Sequence, residues 1–285
     1  MNNHIPVLMN EVIEGLSLHS GATVIDATIG LGGHAEMILA RTSPSGKLIG
    51  FERDDRNLDL AKDHLSSYTD RVTLINDSFG NMAEHDLGKI DAILFDLGFS
   101  SVHVDDASRG FSFQQEGPLD MRYDQKQELT AEAIINSWTK DELADLFFQY
   151  ADETRSRQIA EEIVKARKAN RITTTTQLAE TVENVVKRSG KTHPATKVFQ
   201  ALRMAVNDEL GEIKKGVDSG INLLKPGGRM AIITFHSTED AFVKYQLKDD
   251  PRIELVNKKV IKPTYEEMRS NSRSRSAKLR VVAKI

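Results

Sequence analysis

A short apolar run that ends in a carboxylate and then breaks into glycines constrains this chain most. Thr23-Val24-Ile25-Asp26 reads as a strand. Ala27-Thr28-Ile29-Gly30-Leu31-Gly32-Gly33-His34 joins it to a helical stretch from about His34 to Arg41. Glycine is needed where the backbone takes positive φ or approaches a ligand closely. The helix behind such a turn offers unpaired backbone N–H groups. A strand, turn and helix of this kind belong to an open sheet that binds ligands outside the carboxyl ends of its strands.

The following text repeats the alternation. Lys47–Glu52, Val72–Ile75 and Ile90–Asp96 read as strands, and Asp54 or Asp55 caps a helix running to about Leu65. Three of the four strands read so far end in an acid. Right-handed crossovers then place helices on both faces of a parallel sheet. Gly110, Gly117 and Pro118 mark a loop. Beyond it Ala131–Trp138, Asp141–Tyr150, Thr154–Ala169 and Gln177–Arg188 carry apolar residues at helical spacing, with Thr173 to Thr176 available as the last N-cap. This stretch reads as a helical domain inserted into the sheet domain; a helical cover layer of the same domain is the alternative. A helix from about Thr196 to Leu224 ends at the Lys225-Pro226-Gly227-Gly228 turn, and Arg229–Phe235 is a further strand. Ile253–Ile261 and Leu279–Ile285 are expected to close the sheet as an antiparallel pair. The expected division is therefore a core in two parts, 1–107 and 196–285, around an insertion at 108–195.

The turn carries the first chemical signal. A dinucleotide site reads G-x-G-x-x-G, with a pyrophosphate on the helix N-terminus. Here the spacing is Gly30-x-Gly32-Gly33 behind Asp26. That Asp-x-x-x-Gly-x-Gly arrangement resembles the first motif of class I S-adenosylmethionine methyltransferases, whose cofactor carries a cationic amino-acid tail that suits a carboxylate. Glu52, about 20 residues beyond the turn, is placed to accept hydrogen bonds from ribose hydroxyls. Asp96 opens Asp96-Leu97-Gly98-Phe99-Ser100-Ser101, where amino-group methyltransferases hold the target amine. An exocyclic amine on a base is a poor nucleophile because its lone pair is delocalised, so an acceptor oxygen beside it orients that pair. Phe79 or Phe99 can stack on a base or serve as core. His236, at the end of the 229–235 strand, is placed to move a proton, to contact phosphate or to make a structural hydrogen bond. Arg109, Asp120 and Arg122, just beyond the site loop, and Asn207 and Glu209, on a helix, are further candidates.

Composition sets limits. With no cysteine, a disulfide framework and a thiolate zinc site are excluded. The eight histidines show no ligand spacing, and no metal is expected. No signal peptide or apolar span of roughly 20 residues is visible, so a cytoplasmic protein without a membrane partner is expected. The net charge is −4, so any surface for nucleic acid must be local. Arg269, Arg273, Arg275, Lys278 and Arg280 form the one basic cluster read from the sequence, and a solvated tail is the alternative reading of it.

Taken together, the motifs resemble those of the bacterial 16S ribosomal RNA cytosine-N4 methyltransferases, the MraW-like family. The matching segments run in order along nearly the whole chain. They are His4–Leu8, Asp26–His34, Asp96–Ser101, Arg109–Phe113, Gly117–Arg122, His193–Thr196, Phe199–Arg203, Val206–Leu210, Phe235–Ser237, Glu239-Asp240 and Arg275–Arg280. The resemblance implies an α/β fold with a Rossmann-like class I methyltransferase core and a helical insertion. It implies S-adenosylmethionine as cofactor and N4-methylation of one cytidine in the decoding region of 16S rRNA. The implied partner is that RNA or the small ribosomal subunit, and a homodimer is compatible with it. Carried over residue by residue, the cofactor contacts fall on Gly32, Gly33, His34, Glu52, Phe79, Asp96 and His103, to which the turn adds Asp26 and Gly30. Asp96 and His236 are the catalytic candidates, and Arg273, Arg275, Lys278 and Arg280 the RNA-binding ones. The chain departs from the pattern at Glu52, where Asp is common, and at His103, where Gln is usual. Ala151 stands for Gly, Ser272 for Pro, and the segment between Lys248 and Lys262 is short.

Three other readings fit parts of the pattern: a methyltransferase acting on DNA or protein, a non-catalytic RNA-binding or assembly factor, and a nicotinamide-dependent oxidoreductase. The turn spacing speaks against the last.

Overall fold

Apolar residues that alternate with their neighbours along a strand go to opposite faces of a sheet, and here both faces are covered. The structure, a computed structural model, describes residues 6–98, 101–187 and 193–285. The sequence readings that fall on His4, Ile5, Phe99, Ser100 and Arg188 lie outside the described residues. In chain order the elements are α1 (Met9–Leu16), β1 (Thr23–Asp26), α2 (Gly33–Arg41), β2 (Lys47–Phe51), α3 (Asp55–His64), β3 (Val72–Ile75) and β4 (Ile90–Asp96). Then come α4 (Ser101–Asp105), α5 (Ala131–Ser137), α6 (Lys140–Ala151), α7 (Ser156–Ala169), α8 (Thr175–Val185) and α9 (Thr196–Val206). The chain closes with α10 (Glu209–Leu223), β5 (Leu224–Thr234), α11 (Ser237–Leu247), β6 (Ile253–Leu255), α12 (Tyr265–Ser270) and β7 (Lys278–Lys284).

Among the described residues the strands form one sheet of order β3-β2-β1-β4-β5-β7-β6. β3 to β5 run parallel, while β7 runs antiparallel to both β5 and β6. The order doubles back after β1, so the crevice between the carboxyl ends of β1 and β4 is the switch point at which open α/β sheets bind ligands. Val24, Leu94 and Ile233 pack with α1, α2 and α3 on one face, through Val12, Ile38 and Ala61 among others. Ile25, Phe95 and Ile232 point the other way, onto Ile213 and Val217 of α10 and Val243 of α11. The expected α/β sheet with helices on both faces is what the chain forms. No helix of the described residues is long and apolar enough to cross a membrane.

The chain divides into two compact units, Met1–Gly98 with Leu210–Ile285, and Phe99–Glu209. The second unit is helical, with its own core of Leu143, Phe147, Ile159, Leu178 and Leu202 among others. Its limits differ from the expected 108–195. Helix α9 belongs to it, because Val198, Phe199 and Leu202 pack into that core. Spacing shows that α9 has an apolar face but not which partner covers it. The single helix expected over 196–224 is two, broken at Asn207 and at Asp208, whose φ is 48°. Lys225–Gly228, expected as a turn, lies inside β5, where the register slips between Ile90↔Leu224 and Ala92↔Arg229. The extra residues are absorbed as an irregularity at the start of the strand. Of the expected closing pair, β6 is only three residues long, and Ile261 adds an isolated bridge to Leu279.

Within the second unit, two of the candidate site residues act as braces. The Asn207 side chain is buried, accepts from Tyr123 N at 2.9 Å and donates to the carbonyls of Met121 (2.8 Å) and Arg203 (2.9 Å). Arg203 clamps Glu209 through two bonds of 2.8 and 3.0 Å. Arg109 is buried and donates to the carbonyls of Arg122 and Tyr123. Asn207→Ala leaves buried backbone groups without partners and is expected to cost about 2–3 kcal/mol. A urea melt that reports on the second unit, followed through its single tryptophan, Trp138, checks this.

Candidate active site

Strand β1 ends in Asp26, β4 in Asp96, and Glu52 lies one residue past β2. Three carboxylates therefore meet at the carboxyl edge of three neighbouring strands, in the first unit. Thr28 links two of them. Its backbone N–H donates to Asp26 Oδ1 at 3.2 Å, and its hydroxyl accepts from Asp96 N at 2.6 Å. The sequence reading passed over Thr28 as a residue with a role; its position two beyond the strand-ending acid was the available signal.

His34, the second residue of α2, is buried between Val7 and Asp96. Its Nε2 lies 3.0 Å from the Val7 carbonyl, which can only accept, so that nitrogen carries hydrogen. Its Nδ1 faces Asp96 Oδ2 at 3.5 Å. Asp26 is almost fully buried, and burial is the main reason its carboxyl is pushed up to about 7. The charge of His34 and the Thr28 N–H oppose that rise, while the charges of Asp96 and Glu52 add to it.

The turn has the shape that its glycines predict. Gly30 (φ 50°) and Gly32 (φ 85°) both occupy the left-handed region. A side chain on Gly30 would meet little but the Thr28 carbonyl at 3.8 Å, so the turn is open at that point. Gly32 is the N-cap of α2, and no side chain caps the helix there. Its first N–H groups are thus left to a ligand or to water. Glu52 Oε1 accepts from Asp54 N at 3.0 Å, and Oε2 lies 3.4 Å from Asn57 Nδ2. Asn57 is buried, and the sequence reading missed it as a support for Glu52.

The remaining predicted residues are distributed as follows. Phe79 opens a 3₁₀ turn and meets Phe95 edge-on at 5.4 Å. His103 lies in the second unit, buried against the rings of Phe111 (5.0 Å) and Tyr123 (5.1 Å). His236 caps α11, its Nδ1 accepting from Glu239 N at 3.3 Å. Its Nε2 is 2.7 Å from Glu239 Oε1, but the carboxylate sits well off the ring's N–H direction. The buried Glu239 in turn accepts from Phe235 N at 2.9 Å.

The basic cluster separates into two kinds of cation. Lys278 and Arg280 both bind Asp240, at 2.8 and 2.7 Å. Burial opposes ionisation of Asp240, but those hydrogen bonds outweigh it and hold the carboxyl below its usual range. Arg273 and Arg275 are exposed and have no carboxylate partner among the described residues. They are not in a shapeless tail. Residues Ser272–Ser276 form a 3₁₀ turn capped by Asn271, and α12 before it is capped by Thr264. Glu267 of α12 also accepts from Leu8 N at 2.8 Å.

The family model described as the MraW methylase family matches residues 1–285. The chain is 46% identical over 295 residues to ribosomal RNA small subunit methyltransferase H of Elusimicrobium minutum, covering 100% of both chains. It is 43% identical over 289 residues to the protein of the same name from Desulfotalea psychrophila, covering 99% of this chain and 98% of that one. A solved structure of a proposed rRNA methylase from Clostridium thermocellum aligns over 99% of each chain with a TM-score of 0.51. At 14% identity that likeness speaks for the fold.

The raised Asp26 carboxyl has a consequence for stability. The folded state holds this proton more tightly than the unfolded chain does. Its contribution is fully present below about pH 4 and is lost as pH rises through about 7. Asp26→Asn removes the titrating group, so the variant should gain on the parent by up to roughly 4 kcal/mol between those limits. Chemical denaturation of both proteins at pH 4, 5, 6 and 8 measures the gap. A gap that does not change with pH would show that Asp26 ionises in the ordinary range.

Proposed function

The chain belongs to the MraW methylase family, and from that premise we propose that it methylates the exocyclic N4 amine of one cytidine in the decoding region of 16S ribosomal RNA. The observation that carries the reading is the edge formed by Asp26, Thr28, His34 and Asp96 beside an open glycine turn. The protein is a methyltransferase, and its methyl donor is S-adenosylmethionine. When bound, this donor supplies a methyl group on a positively charged sulfur that leaves with the electron pair of the broken bond.

The residues at the edge fit such a donor. Asp26, Glu52 and Asp96 are close enough for their charges to interact, which would oppose a pyrophosphate and favours a cationic ligand. Asp26, Glu52 and the uncapped start of α2 at Gly32 and Gly33 would hold it, with Gly30 leaving space. Phe79 and His103 remain the residues proposed by resemblance to complete the contact.

Asp96 is assigned the acceptor amine. Its carboxylate takes a hydrogen bond from the amine N–H, turns the nitrogen lone pair toward the methyl carbon and stabilises the charge that develops as the new C–N bond forms. It also receives the proton that the nitrogen then loses. His34 is a positioning residue: anchored on the Val7 carbonyl through Nε2, it holds one oxygen of Asp96 through Nδ1 when the ring carries both protons. With His236 capping α11, its part is to set the loop after β5. The small-subunit RNA named in the relatives is the expected substrate, and a cytoplasmic location follows from it.

Asp96→Asn should lower methyl transfer to small ribosomal subunits about 100-fold or more. Tritiated methyl transfer to small subunits, naked 16S rRNA and DNA, with the product nucleoside identified by mass spectrometry, tests the reading. N4-methylcytidine in 16S rRNA is the expected product. Transfer to no ribosomal substrate sinks the reading.

A further inference from the structure

A cavity of about 330 Å³ opens in the first unit where the chain leaves β5 and enters β7. Phe235, Pro263, Met268 and Ala277 supply apolar wall, and Lys262, Arg275 and Lys278 bring positive charge. Lys278 is engaged by Asp240. Lys262 and Arg275 are exposed and have no carboxylate partner among the described residues. An apolar wall under two uncompensated cations matches a flat, anionic ligand. Single-stranded nucleic acid is bound in this way, with bases on flat apolar side chains and phosphates on Lys and Arg.

The sheet register places the cavity relative to the reacting edge. Asp96 is level with Ile233 of β5, and Thr234 is level with Lys278 of β7. Neighbouring strands are ~4.8 Å apart, so the cavity lies one to two strands, on the order of 5–10 Å, sideways from Asp96. A base held at Asp96 cannot also fill it, but an adjoining nucleotide of an unstacked strand reaches that far. The walls are fixed beforehand. Ile261, next to Lys262, exchanges backbone bonds of 3.0 and 2.9 Å with Leu279, and Glu267 ties α12 to Leu8. Prior fixing lowers the entropy lost on binding.

We propose that this cavity binds one nucleotide of the RNA adjoining the methylated base, its base against Phe235 and Met268 and its phosphate on Lys262 and Arg275. The proposal rests on the RNA methyltransferase reading above. It makes the cavity a determinant of which position in the strand is presented to Asp96, separate from the site that holds the donor.

The test uses the full chain and a fluorescein-labelled single-stranded oligocytidylate decamer, followed by anisotropy. Lys262→Glu removes a cation, and Ser276→Trp fills the cavity from Ser276, an exposed residue that lines it. Each is expected to weaken RNA binding roughly tenfold, a loss of the size of one stacked base. Calorimetric affinity for S-adenosylmethionine should be unchanged in both, which also shows that they fold. The salt dependence of binding should fall by about one contact in Lys262→Glu and stay the same in Ser276→Trp. Met268→Ala, a smaller change, should weaken binding a few-fold. Parental RNA affinity in Ser276→Trp overturns the proposal even if Lys262→Glu weakens binding, because a charged surface without a pocket would behave so. Displacement of the RNA by polyglutamate at equal charge also overturns it. A parent chain that methylates no ribosomal RNA removes the reading beneath the proposal, whereas intact methylation with unaffected variants removes the pocket alone.

Discussion

Two carboxylates at the ends of adjacent parallel strands repel each other, and the fold holds them there with one hydroxyl and one imidazole. Thr28 touches both: its N–H serves Asp26 and its hydroxyl receives the Asp96 N–H. His34 reaches Asp96 from the first turn of α2 while anchored on the Val7 carbonyl. If these supports were absent, burial of Asp26 would only drive its proton on, and Asp96 would lose two of the contacts that hold it at the crevice. The carboxylate edge is thus an electrostatic arrangement held by β1, β4, α2 and the segment before α1. Each of these is fixed by the core on the α1–α3 face of the sheet.

The same arrangement explains why the glycine turn is open rather than packed. Charge repulsion among Asp26, Glu52 and Asp96 is relieved by the proton that buried Asp26 keeps up to about pH 7 and by a cation or water facing them. Positive φ at Gly30 and Gly32 shapes the turn, a side chain at Gly30 would meet little, and the helix start behind it has no side-chain cap. A turn filled by a side chain at position 30 would close the space that the three carboxylates require.

Much of this was legible in the sequence, and the parts that were not have a common cause. Strands β1 and β4 fall where an apolar run and a terminal acid put them, because a buried strand must be apolar and its end at the crevice polar, while β3 is found from its apolar run alone. The N-cap threonine of α8 and the helices α5 to α8 follow from periodicity for the same reason. What the sequence withheld is partner choice. The apolar face of α9 fits either unit, and only packing assigns it to Leu143 and Phe147. Asn207 and Arg109 look like site residues by type and position, yet their side chains brace a loop. His236 looks catalytic and is also a cap. Lys278 and Arg280, read from the sequence as nucleic-acid contacts, also pair with Asp240, which is distant in sequence. Lys262, outside every motif, comes to the cavity only because Ile261 pairs with Leu279.

The place of the helical unit in the chain has a consequence for how the protein is made. Strands β1 to β4 emerge first, but their neighbours β5 and β7 lie beyond Leu210, after the whole of the second unit. Until then β4 is an unpaired edge, and Ile93, Leu94 and Phe95 have no β5 beside them. An exposed apolar edge invites pairing with other chains. The nascent half-sheet is therefore at greatest risk of aggregation while the ribosome translates the insertion. The second unit, with a core of its own, can fold during that interval. It shortens the exposed chain that trails from β4 before β5 arrives to cover the edge.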